Sequence, residues 1–317
     1  MPNLNVVVLG QPGFSSSLAK KSSVSDMAFY DLKKGQAQIT IVEPVRYPER
    51  LAPLFYACSL ADMAVIVVEK VDHLFGEAIV MLDTLGVSKG AILLKGFIQK
   101  EQVAPLLQGT LAEGYDFIED DPVALRESLL DAAASIECKE EKHGSVPVDH
   151  HFNVKGVGTV VLGKVSDGTI RKHDKLTAHP LGVIVNLRSI QKHDDDFDTA
   201  SAGDRVGLAL RGIDSDRLDR GHVLSNDPRM TAVEEFDAVA EISRFWRTPL
   251  REGMVIHIGH WMQMVPCRVV SVSGEAASPE LSLKADDSII HLPGDKATIM
   301  YLEGGKLRVA GSLTLPS

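Results

Sequence analysis

The residue texture of this 317-residue chain changes once. In the first segment short apolar runs alternate with longer amphipathic stretches, the pattern of a parallel sheet with crossover helices. From Val148 onward short apolar strands recur between Gly- and Asp-rich turns, and no stretch fits a helix period. Strands at that regular spacing indicate β-barrels. The expected fold is therefore multi-domain, an α/β domain followed by two β-barrels. Residues 137–143 are a charged stretch before Gly144–Ser145, and Asn226–Asp227–Pro228 breaks both helix and ladder. Domains are expected at 1–143, 144–227 and 228–317. Length agrees, because single cores beyond about 250–300 residues tend to divide.

In the first segment strands are expected at residues 4–9, 27–32, 39–42, 63–69, 91–94 and 115–118, and helices at 48–60, 74–85, 100–107 and 122–135. Asp120–Asp121 can cap the last helix, and Lys33–Lys34–Gly35–Gln36 reads as a hairpin turn. The second segment offers strands at 149–154, 159–165, 175–177, 182–191, 205–210 and 222–224, and the third at 238–245, 254–258, 264–272, 296–301 and 307–313.

Composition excludes several function classes. With 44% hydrophobic and 24% charged residues, the chain is too apolar for disorder. No run reaches the roughly 18 apolar residues of a membrane span, and the apolar start lacks the basic lead-in of a signal peptide. Three scattered cysteines, Cys58, Cys138 and Cys267, exclude a disulfide scaffold and a cysteine zinc site, and point to a reducing, cytoplasmic setting. A net charge of −10 excludes a general nucleic-acid coat, which needs surplus Lys and Arg to displace counterions. Residues 1–143 hold 13 Lys+Arg against 20 Asp+Glu, so the near-neutral barrels are the better place for a specific RNA contact.

Five blocks of the middle segment carry the most specific signal: His151-Phe-Asn-Val-Lys-Gly-Val-Gly-Thr-Val-Val-Leu-Gly163, Ser166-Asp-Gly-Thr-Ile-Arg-Lys172, Leu187-Arg-Ser-Ile-Gln191, Ala202-Gly-Asp-Arg-Val-Gly-Leu-Ala-Leu-Arg-Gly212 and Leu218-Asp-Arg-Gly-His-Val-Leu224. Gly156, Gly158 and Gly163 also fit a purely structural reading, as bulges and close approaches in a small barrel. In this order the blocks resemble the second domain of translational GTPases of the elongation factor Tu and elongation factor 1-alpha type. Arg268-Val-Val-Ser-Val and Leu307-Arg-Val-Ala-Gly311 make the third segment similar to the third domain of that family in its SelB-like version, and SelB's extra C-terminal domain is not expected. The resemblance implies an archaeal source, a P-loop-NTPase-like first domain and a place in translation. Its implied partners are tRNA or another RNA, the ribosome, or another translation factor, and no membrane. It also implies a barrel surface for the aminoacylated 3′ end of tRNA, at Val154, Gly156 and Asp204 with Arg205 beside them.

The first segment departs from that family at every nucleotide motif. A phosphate-binding loop needs Gly-x-x-x-x-Gly-Lys-Ser/Thr, whose backbone N–H groups cradle phosphate while the Lys neutralises its oxygens. Here the sequence is Gly10-Gln-Pro-Gly-Phe-Ser-Ser-Ser17. Gly10 and Ser17 remain as a vestigial phosphate loop, Ser15 and Ser16 replace the Gly and the Lys, and Lys20 and Lys21 come one helical turn late. By resemblance Glu43 stands for the magnesium-side Asp, Arg46 for the Gly that senses the γ-phosphate, and Tyr47 for the water-positioning His. Lys95, Gly96 and Ile98 stand where the guanine-reading Asn-Lys-x-Asp belongs. Too few residues follow Ser17 for a switch I segment and its magnesium-binding Thr. These losses together remove binding as well as catalysis, so no catalytic residue, metal or resident cofactor is expected.

Smaller constellations have bland readings. His257 and His260 have metal-like spacing but point to opposite faces of a strand, and His193-Asp-Asp-Asp196 reads as a solvated loop. Trp246 and Trp261, with Phe245, offer either an RNA-stacking platform or core or interdomain packing. Cys58 falls on the apolar face of a helix. The expected function is a translation elongation factor-like protein of the SelB/Tu type with eroded GTP-binding motifs, a pseudo-GTPase that binds RNA or the ribosome. One alternative is an atypical GTP-binding factor that delivers a specialised aminoacyl-tRNA, with GTP and Mg²⁺ as cofactors and Lys20 or a partner supplying the missing charge. Another is a decoy that occupies a factor's site without a nucleotide cycle.

Overall fold

The structure, a computed structural model, describes residues 3–35, 37–137 and 141–317. Cys138, and Gln36 of the expected hairpin turn, lie outside the described residues. The first domain contains β1 (Asn3–Leu9), β2 (Lys20–Val24), β3 (Met27–Lys34), β4 (Ala37–Pro44), β5 (Met63–Val68), β6 (Gly90–Leu94) and β7 (Asp116–Ile118). They form one sheet in the order β2-β3-β4-β1-β5-β6-β7, parallel from β4 to β7, with β3 and β2 attached antiparallel at one edge. Helices α1 (Ala52–Ser59), α2 (His73–Thr84) and α3 (Lys100–Leu107) return the chain between parallel strands, and α4 (Pro122–Ala134) follows β7.

Alternate residues of β1 enter opposite cores. Val7 and Leu9 pack under α1 to α3, whereas Val6 and Val8 meet Leu125, Leu129 and Ala133 of α4. This two-sided burial is why the strand reads as an unbroken apolar run. Asp72 and Asp121 cap α2 and α4 by accepting backbone N–H groups of the first turn. The first helix begins at Ala52 rather than at 48: Pro48 lies in the preceding turn, and Pro53 occupies a first-turn position that tolerates a missing N–H. β2 has no counterpart among the expected strands because all five of its residues are exposed and present no apolar face.

The second domain contains β8 (Gly144–Val154), β9 (Gly158–Lys164), β10 (Asp167–Arg171), β11 (Lys175–His179), β12 (Val183–Lys192), β13 (Asp195–Phe197), β14 (Thr199–Ser201), β15 (Arg205–Arg211) and β16 (Val223–Ser225). Six of these close into a barrel, β8-β16-β11-β12-β15-β9, through the pairing of β8 with β9. The third domain is a closed barrel of β17 (Thr231–Ile242), β18 (Val255–His260), β19 (Gln263–Glu275), β20 (Ser278–His291), β21 (Lys296–Met300) and β22 (Val309–Thr314), in the order β17-β20-β19-β18-β21-β22. β20 was not among the expected strands, although it is 14 residues long. Lys284-Ala-Asp-Asp-Ser288 interrupts its apolar alternation, and the facing strand shifts register between Val233 and Glu235.

The first domain and the third barrel share a core. Met262, Met300 and Val309 join the cluster that contains Phe55, Cys58 and Ile79. A Cβ at Gly259 would lie 2.5 Å from the Phe55 ring, so only glycine lets β18 approach α1 this closely. No helix among the described residues is long and apolar enough to cross a membrane.

Candidate functional site

β1 ends in the middle of the sheet beside β5, at the carboxyl ends of parallel strands where such sheets open a ligand crevice. Gly10 is required there. Its φ is 99°, and a Cβ would lie 1.9 Å from the Val67 carbonyl oxygen. The following segment turns through left-handed Gly13 into a single 3-10 turn, Phe14–Ser17. The hydroxyls of Ser16 and Ser17 donate back to the carbonyls of Gly13 and Phe14, at 2.6 and 2.7 Å. Arg126 donates to the Ser17 carbonyl at 2.6 Å.

The backbone N–H groups of Gly13 and Ser15 donate to the carboxylate of Glu43, at 2.8 Å to Oε2 and 2.7 Å to Oε1. Glu43 lies on β4, next to β1 in the sheet, and is buried. The Tyr30 hydroxyl donates to its Oε2 at 3.4 Å, and burial together with the Glu43 charge holds that phenol above its usual range. A two-oxygen anion thus occupies a nest of backbone N–H groups, and it is supplied by the protein's own side chain.

Between this loop and β5 is a cavity of ≈ 230 Å³. Its charged lining consists of Glu43, Glu69, Asp72 and Lys70, and Lys70 is 3.5 Å from Asp72. Three carboxylates against one paired ammonium repel an anionic ligand. Tyr47 faces the same cavity and donates its hydroxyl to the Leu74 carbonyl at 3.2 Å. Lys95 pairs with Asp120 and stands over the Phe14 ring, Ile98 packs against the core, and Lys20 and Lys21 are exposed on the edge strand β2. Among the described residues no group of three His, Cys, Asp or Glu is placed to hold a metal ion. His260 is buried between Asp295 and the Lys296 carbonyl, each at 3.1 Å.

The four residues expected to contact RNA fall into two places. Val154 and exposed Gly156 belong to the β8–β9 hairpin tip, where Val154 pairs with Gly158. Arg205 pairs with Lys164 at the other end of β9, about 20 Å away at the usual strand rise. Asp204 is buried and accepts from Lys192 Nζ and from the Ser201 N–H, both at 2.9 Å. Arg205 bonds Asp149 and stacks on Phe29 of the first domain, 4.0 Å from the ring centroid. The expected single surface therefore divides, because strand register separates what the sequence blocks list side by side. Trp246 is buried in the third barrel and Trp261 occupies the β18–β19 turn at φ 50°, so the two form no exposed platform with Phe245. Cys58 is buried in packing, as its helix face implies.

The end of the second barrel that carries Arg205 is bolted to the first domain. Asn3 and Asn5 donate to the Gly203 carbonyl at 3.1 and 2.8 Å, Lys164 reaches Asp62 at 2.6 Å, and Arg220 grips Asp26 through two bonds of 2.6 and 2.9 Å. Burial alone would raise the Asp149 carboxyl, but Arg205 and His150 outweigh it and hold it at about 2, against 3.8 when unperturbed. A carboxyl depressed in the folded state stabilises it above the unfolded value and loses that effect as pH falls through the folded one. About 2 kcal/mol should therefore disappear between about pH 4 and pH 2. Melting temperatures taken across that interval are expected to fall more steeply for the wild type than for Asp149→Asn.

The family described as elongation factor Tu domain 2 matches residues 158–225. Over 313 residues the chain is 33% identical to an uncharacterized protein of Methanocaldococcus jannaschii, covering 98% of this chain and 99% of that protein. It is 25% identical over 321 residues to the selenocysteine-specific elongation factor of the same organism, covering 90% of this chain and 68% of that factor. The solved structure of SelB from Methanococcus maripaludis with the GTP analogue GPPNHP is similar in fold, with a TM-score of 0.83 at 22% identity over 100% of this chain and 79% of that one.

Proposed function

The chain belongs to the translational GTPase family as an elongation factor-like protein of the SelB type, and from that premise we propose that it acts in translation without a nucleotide cycle, as an RNA-binding pseudo-GTPase. The observation that carries this reading is the Glu43 carboxylate on the N–H groups of Gly13 and Ser15. A phosphate entering the loop must displace a buried carboxylate from both of its backbone donors, a cost of several kcal/mol. The sequence holds no loop Lys to offset that cost. A carrier that releases cargo on hydrolysis needs a segment ordered by the γ-phosphate; a bulky Arg46 stands in the place of the glycine, and Tyr47 brings a phenol rather than an imidazole. This favours a constitutive binder over a switched carrier.

RNA contact is assigned to the hairpin tip of the second barrel. Lys155, Gly156 and Val157 are exposed there, and the exposed Arg188 donates to the Val157 carbonyl at 2.9 Å. Titration of the whole chain with a fluorescent guanine nucleotide should give no saturation; a dissociation constant below about 10 μM, roughly −7 kcal/mol, overturns the pseudo-GTPase reading. Filter binding of tRNA should be indifferent to added GTP and weaken about tenfold in Lys155→Glu/Val154→Glu. Unchanged binding in that variant removes the hairpin tip from the contact.

A further inference from the structure

We propose a second RNA site, on the third barrel: Arg244, Arg247 and Arg251 hold the phosphates of a single-stranded segment, and one nucleotide enters the cleft that Arg244 borders. The proposal deepens the RNA reading above and rests on it. In a chain of net charge −10, the loop from β17 to β18 carries these three arginines against one carboxylate, Glu252. All three are exposed, and none of the ion pairs among the described residues engages them; Arg244 lies over the Phe245 ring, 4.5 Å from its centroid. The loop is nevertheless fixed. Trp246 and Leu250 enter the barrel core, Trp246 meets Tyr301 edge-on, and Phe245 packs against the core of the first domain. Guanidinium groups displayed from an anchored loop lose less freedom on binding, and their planar forks suit phosphate.

The cleft supplies the second observation. A cavity of ≈ 500 Å³ separates the end of α2 from the outer face of β21 and β22. Ala297 and Ile299 point into the barrel core, so Thr298 between them points outward, toward the cleft it lines. It is fully buried, and its hydroxyl has no partner. Ser243 and Ser312 add further hydroxyls to the lining. Both carboxylates of the lining are engaged within the protein: Asp83 accepts from the Leu111 N–H at 2.8 Å, and Glu241 is 3.5 Å from Lys296. A polar, nearly neutral cavity of this size beside unpaired guanidinium groups fits a nucleoside whose phosphates stay outside. Single strands splay bases out for such recognition, whereas duplexes keep them stacked. An acidic protein segment would use the arginines and leave the cleft empty.

The test uses the full chain and a fluorescein-labelled single-stranded oligouridylate in anisotropy titrations at several salt concentrations. Arg247→Gln/Arg251→Gln is expected to weaken binding at least tenfold and to reduce the salt slope of log K by about 1.4, or 0.7 for each lost phosphate contact. Thr298→Val, which keeps the shape and removes the hydroxyl, should weaken the single strand about threefold and leave a duplex of the same length unaffected. Unaltered melting temperatures for both variants separate loss of binding from loss of fold. An unchanged slope in the arginine variant overturns the site. Competition by polyglutamate as effective as that by unlabelled RNA also overturns it, in favour of an acidic protein. Lys155→Glu keeps the two readings apart: if it alone abolishes binding, the second barrel is the contact and this site is wrong, and if no RNA binds the wild type both fall.

Discussion

Replacing Arg308 by Met is expected to cost about 3–5 kcal/mol and to loosen the first domain from the third barrel. Arg308 immediately precedes β22, and its backbone N–H and Nε donate to Glu77 Oε1 at 2.7 and 3.1 Å, while Nη2 reaches Oε2 at 2.6 Å. Its Nη1 also donates to the Pro48 carbonyl at 3.2 Å. The Glu77 side chain on α2 is only 1% exposed, so losing the guanidinium strands a buried charge. Glu77→Leu/Arg308→Met should recover much of the loss, since an apolar pair of similar volume often replaces a buried ion pair without penalty. Urea unfolding of the two variants and the wild type measures both differences. If Arg308→Met costs under about 1 kcal/mol, the pair behaves as a surface bridge and the clamp is refuted. The clamp bears on function because rotation of the first domain away from the barrel would also expose Met262, Met300 and Val309. A protein built this way is suited to one fixed arrangement of its domains, which supports the proposal of a binder without a nucleotide cycle.

The elements legible in the sequence were those whose burial is written locally. β1 and β5 are covered on both faces and read as continuous apolar runs, and Asp72 and Asp121 mark their helices by their own side-chain bonds. The barrel blocks stood out through their glycines, which a close approach demands at Gly163, where a Cβ would lie 2.4 Å from the Pro147 carbonyl oxygen. Partners far apart in sequence were not legible. Glu77 is the one charge in the apolar run from Leu74 to Leu82, which signals a buried partner, but nothing local identifies Arg308. Asp204 and Arg205 sit in a recognisable block, and only strand register turns one into a barrel-end anchor and the other into a domain tie. In the loop after β1 the missing Lys could be read directly. The carboxylate that fills the loop could not, because it depends on β4 lying beside β1.

Glu43→Ala is expected to cost about 2–6 kcal/mol, because two N–H groups, that of Ser15 buried, lose a charged acceptor. Glu43→Gln should cost nearly as much: its amide oxygen can serve one N–H, and its NH₂ then confronts the other. Thermal melts with and without inorganic phosphate divide the loss into its parts. If the loop keeps its geometry once the carboxylate is gone, phosphate will raise the melting temperature of Glu43→Ala and leave the wild type unmoved. Occupancy at ten times the dissociation constant is worth about 1.4 kcal/mol. A variant as stable as the wild type would mean that the Gly13 and Ser15 amides have other acceptors, and the exclusion of phosphate by Glu43 would lose its basis. The same variant locates the proposed barrier to nucleotide. Guanine nucleotide binding that appears only in Glu43→Ala assigns the barrier to this one carboxylate. Binding that stays absent while phosphate binds assigns it to the lost Lys and to Ile98, which cannot accept the guanine N–H bonds.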